Sequence, residues 1–69
     1  MDLKTAKAVV TILERAEQAE RVGKEAQREA KEIYDRDVAS EILKKAALAT
    51  ATTYERLAVA LREIAAGAK

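Results

Sequence analysis

The chain has no cysteine, proline, histidine, phenylalanine or tryptophan, and only two glycines and two tyrosines in 69 residues. Without cysteine there is neither a disulfide framework nor thiol chemistry, and nothing marks a redox compartment. Without histidine, Ser40, the only serine, lacks the usual base that would make it a nucleophile. The Glu-x-x-His pairs of di-metal helical bundles are likewise missing. Glu14, Glu17 and Glu20, like Glu25, Glu29 and Glu32, therefore read as solvated faces. Tyr34 and Tyr54 are too few for a base-stacking platform. Gly23, alone between Val22 and Lys24, is not a phosphate loop. No apolar run approaches the roughly 18 residues of a membrane span. Lys4 and Lys7 are not followed by the apolar run of a signal peptide, so a cytoplasmic protein is expected. A net charge of +1 gives no electrostatic reason to seek nucleic acid or an anionic membrane.

What is present is alanine, Glu, Lys, Arg and Leu, a composition of long helices and coiled coils. Apolar residues are 49% of the chain and charged residues 36%, and the apolar ones recur periodically, which argues against disorder. Two heptad seams can be counted. One runs Val9, Ile12, Ala16, Ala19, Gly23, Ala26, Ala30, Ile33. The other runs Leu43, Ala47, Thr50, Tyr54, Leu57, Leu61, Ile64, Ala68. Steps of three and four keep one helical face turned to a partner.

Continued forward, the first seam reaches Asp37, Ser40 and Lys44, all polar, so the register fails there. Asp37 can cap a new helix by accepting from a free backbone N–H. The expected fold is all-α: one domain over 1–69, a hairpin of helices at about 2–34 and 37–66 with a tight turn at Asp35–Arg36. That turn has neither Gly nor Pro, and a single continuous helix stays open. A break at Gly23, or a third helix started by a Thr52–Glu55 capping box, would fall inside an unbroken seam. Gly23 is therefore read as a packing residue and Thr52 as a helical one. Equal arms about the turn set Ala46–Thr53 opposite residues 18–25, with close backbones where small residues meet. Thr50 and Thr53 are expected to return their hydroxyls to the carbonyls of Ala46 and Ala49.

The helices differ in charge. Eleven of the nineteen residues from Glu14 to Glu32 are charged, against four of twenty-one from Ala46 to Ala66. None is charged from Ala46 to Tyr54. Those four, Glu55, Arg56, Arg62 and Glu63, make one thin polar stripe. A helix apolar on most sides is buried on most sides, and a single hairpin partner cannot enclose it. Other copies of the chain are the simplest source of cover. Val9, Ile12, Leu13, Ala19, Gly23, Leu43, Ala47, Thr50, Tyr54, Leu57, Leu61 and Ile64 are the candidate core and interface residues, with most burial energy from Leu43, Leu57, Leu61 and Ile64. Val9, Ile12 and Leu13 should pack beside the C-terminal half of helix 2. The expected function is self-assembly, without catalysis, cofactor, metal, small-molecule substrate, nucleic acid or membrane.

The filler "RAEQAERVGKEAQREAKEI", the clean seams and the tail "AAGAK" resemble computationally designed helical bundles. That resemblance implies a homo-oligomer made to assemble. A second resemblance is to the short archaeal histones. Ala19-Glu20-Arg21-Val22 resembles the first loop of that fold, Arg36-Asp37-Val38-Ala39-Ser40-Glu41 the middle of its long helix, and Leu57-Ala58-Val59 its last helix. It implies a DNA-wrapping dimer, yet "TATT" stands where that family places basic residues on phosphates. A third reading is a small helical adaptor with an open groove for a partner's helix.

Overall fold

A computed structural model of the chain describes residues 2–33 and 37–68. Two α-helices of 30 residues each, α1 (Leu3–Glu32) and α2 (Val38–Gly67), pack along each other as an antiparallel hairpin. Their contact excludes one continuous helix. Among the described residues there is no strand. The expected turn at Asp35–Arg36 lies outside the described residues.

Both helices start in the same way. The Asp2 carboxylate accepts from Thr5 N at 2.7 Å, and the Asp37 carboxylate accepts from Ser40 N at 2.8 Å. Each satisfies a backbone donor that has no partner inside its helix. Glu41 in the first turn of α2 adds negative charge where the helix dipole favours it. Neither Gly23 nor Thr52 interrupts its helix.

The face that α1 turns to α2 follows its heptad seam. Val9, Ala16, Ala19, Gly23, Ala26 and Ala30 are buried, and Ile12 and Ile33 are half-buried. On α2 the contacting face differs from the Leu43–Ala68 seam. Ala51, Ala58 and Ala65 are buried, while Ala47, Tyr54 and Leu61 are half-buried beside them. Only Ala47, Tyr54 and Leu61 belong to both seams. Among the described residues the core between the helices is thus one valine, seven alanines and Gly23, and no large side chain is fully buried.

Small residues let the backbones approach. A Cβ placed on Gly23 would lie 3.4 Å from the Ala51 carbonyl oxygen and 3.5 Å from the Tyr54 Cβ. This also corrects the expected register. Equal arms about residues 35–36 would set Gly23 against residue 48, but it meets Ala51, Tyr54 and Glu55 instead. The helices are therefore staggered by roughly one to two turns relative to equal arms. The hairpin is 55 Å long, more than the ~45 Å of a 30-residue helix. The seam of small residues sets the stagger, because Gly23 is where α1 can accept the α2 backbone.

Candidate functional site

The stagger brings the thin polar stripe of α2 against a polar flank of α1. Arg62 Nη2 donates to Glu20 Oε2 at 2.5 Å, and the Gln27 side-chain amide donates to Glu55. Glu20 is held below the usual carboxylate range, first by that hydrogen bond and then by the Arg62 charge. The pair is well exposed to water, so it fixes which way α2 faces more than it stabilises the hairpin. Glu25–Arg28 and Glu41–Lys45 are further exposed pairs within each helix, at 3.3 and 3.5 Å. Glu20 thus reaches across to α2.

With one flank of α2 spent on these contacts, its opposite flank is left uncovered and uncharged. Leu43, Leu57 and Ile64 are 60%, 44% and 57% exposed. Thr50, Thr53, Ala46 and Ala60 lie exposed between them. The threonines are neutralised locally: Thr50 Oγ1 donates to the Ala46 carbonyl at 3.0 Å and Thr53 Oγ1 to that of Ala49 at 2.9 Å. Their methyl groups then present an apolar surface with no unpaired hydroxyl. Where this flank meets α1, a shallow groove of about 500 Å³ runs between Val22, Tyr54, Leu57 and Leu61, rimmed by Arg15 and Gln18.

The twelve candidate residues therefore divide into two groups. Val9, Ala19 and Gly23 are buried between the helices, with Ile12, Ala47, Tyr54 and Leu61 half-buried along the same contact. Leu13, Leu43, Thr50, Leu57 and Ile64 are exposed in the single chain. The stretch Ala46–Tyr54 is split likewise. Its Ala47, Ala51 and Tyr54 meet α1, and its other residues face outward. The expected close approach is real at Ala51 and Gly23, while Ala46, Thr50 and Thr53 belong to the open face and Leu48 and Thr52 lie on the flank of Glu55. Ala51, Ala58 and Ala65 were missed as contact residues, although their seven-residue repeat is visible in the sequence.

Among the described residues, no group of three or more acidic side chains is placed to hold a metal ion. No helix of the described residues is long and apolar enough to cross a membrane. Ala19–Val22 and Thr50–Thr53, where the histone resemblance implies loops, lie inside α1 and α2. No family model matches the chain, and neither a curated protein nor a solved structure is significantly similar to it.

Proposed function

We propose that this chain is a self-assembling structural protein: a hairpin that forms a symmetric homo-oligomeric helical bundle, with α2 inside and α1 outside. One observation carries the reading. Leu43, Leu57 and Ile64 on α2 stay largely exposed, whereas the side chains fully buried between the helices are only Ala and Val9 beside Gly23, with Ile12, Tyr54 and Leu61 half-buried. A buried methyl contributes about 0.8 kcal/mol, whereas a fully buried Leu or Ile contributes about 1.5–3 kcal/mol. Ordering the backbone costs about 1–2 kcal/mol per residue. The hairpin alone leaves its most stabilising groups in water, and chains this short commonly complete their core by association. A second copy is the partner present wherever the chain is made.

The composition resembling designed bundles supports the same reading, in which the assembly is a soluble, cytoplasmic one without catalytic activity. Light scattering over a dilution series, with helicity followed by circular dichroism, tests it. The expected result is a mass of two chains or more whose loss on dilution is accompanied by loss of helix. A monomeric mass at micromolar concentration with full helicity overturns it.

A further inference from the structure

The open flank of α2 has a pattern that bears on how a second copy would sit. Stepping alternately four and three from Ala39 to Ile64, every residue of the stripe is uncharged and exposed. Large and small side chains are unevenly placed along it. Two parallel copies in register would stack Leu43 on Leu43, Ala46 on Ala46 and Leu57 on Leu57. Wide and narrow layers would then alternate along helices whose spacing is nearly constant, leaving holes beside the alanines.

Turning the second copy around removes the problem. In one antiparallel register Ile64 meets Ala39, Leu43 meets Ala60, Leu57 meets Ala46, and Thr50 meets Thr53 at the centre. Each layer then pairs a large residue with a small one, or two of intermediate size, so the layers interdigitate at even spacing. The central threonines bring no unpaired hydroxyl, since each donates to its own helix. Sliding one copy by a heptad sets Thr50 against Ala60 and Leu57 against Thr53, and of the stripe's large-to-small layers only an Ile64–Ala46 pair is left.

We propose, resting on the self-assembly reading above, that the Ala39–Ile64 stripe is a self-complementary docking surface. It takes a second copy of α2 antiparallel across a two-fold axis near Ala51 and Thr52, with Ala46 of each copy against Leu57 of the other. The axis makes the contact isologous, so each large-to-small layer occurs twice.

The absence of cysteine makes the test clean. Ala46→Cys and Leu57→Cys are made as separate variants and oxidised alone and as an equimolar mixture, and covalent dimer is read on a denaturing gel. In the proposed register, position 46 lies about 16 Å along the axis from its own copy. Neither variant alone should cross-link, and the mixture should. Efficient self-cross-linking of either variant alone, or none in the mixture, overturns the register. A second measurement uses size exchange. Ala46→Leu and Leu57→Ala should each raise the dissociation constant about tenfold or more, and the double variant should return to within about threefold of the parent. Purely additive losses overturn the pairing, since 46 and 57 are too far apart within one α2 to compensate. A parent that light scattering finds monomeric overturns the assembly reading itself. An oligomeric parent with the wrong cross-links overturns only the antiparallel register.

Discussion

The two helices have equal length, the same aspartate cap and the same heptad spacing, yet they meet water in opposite ways. Apart from its single buried face, the length of α1 from Glu14 to Glu32 is mostly charged. The inner face of α2 is alanine with half-buried Tyr54 and Leu61, its flank beside Glu20 and Gln27 mixes Glu55 and Arg62 with exposed Leu48 and Val59, and its remaining flank is Leu, Ile, Thr and Ala. The exposed large apolar residues of α1, Leu3, Val10 and Leu13, all precede Glu14, whereas those of α2 run along it from Val38 to Ile64. Capping and periodicity make both helices alike, and only the distribution of charge around each axis distinguishes them.

Leu57→Asp should break the comparison most severely. A charge on the open flank costs little in an isolated hairpin, but an unpaired charge at a buried interface costs roughly 3–5 kcal/mol. Loss of oligomeric mass and of the cooperative melt is expected. Unchanged mass and melting would show that the outer flank of α2 is an ordinary surface, no different in kind from that of α1.

Gly23 probes the inner contact. Gly23→Leu should destabilise by about 1–3 kcal/mol or more, because the added side chain must displace the α2 backbone at Ala51. Gly23→Ala should be close to neutral in a chemical melt. Its Cβ would meet Ala51 O at 3.4 Å, a tight contact offset by the ~1 kcal/mol gain in helix propensity. Equal effects of the two variants would mean that the backbones do not approach there.

Acid should act on both helices alike, and more weakly. Asp2 and Asp37 are lowered chiefly by the backbone N–H groups of Thr5 and Ser40, and Glu20 by Arg62. Their folded pKa values lie below the unfolded ones, so their stabilising contribution is full above the ordinary carboxylate range and is lost as pH falls through the folded values. Melting temperature followed below about pH 4 should fall, and Asp37→Ala should flatten part of that slope. The smallest effect should come from salt. Raising ionic strength screens the exposed Arg62–Glu20 pair and should hardly move the melting temperature.

Much of this was legible in the sequence. The register failure at Asp37 located the start of α2, and Asp37 does cap it. The alternation from Val9 to Ile33 is the face α1 buries, and Gly23 is a packing residue. The hydroxyls of Thr50 and Thr53 go where their spacing from Ala46 and Ala49 sends them. The inner face of α2 was not legible in the same way. Counting by size draws a seam through Leu43, Leu57 and Ile64, whereas the intrachain contact selects Ala51, Ala58 and Ala65 because they let Gly23 come close. The stagger was hidden too. A heptad repeat looks the same after sliding by seven residues, so periodicity alone cannot say which small residue Gly23 meets.

The alanine seam has a consequence for conformational choice. Alanine has no χ angle to rotate, so a contact built from Ala16, Ala19, Ala26, Ala51 and Ala58 has no alternative rotamers into which it can repack. The exposed stripe differs, because Leu43, Leu57 and Ile64 can still select among rotamer wells in the hairpin. The molecule sets a joint made mostly of side chains without rotamers beside a surface of side chains that have them.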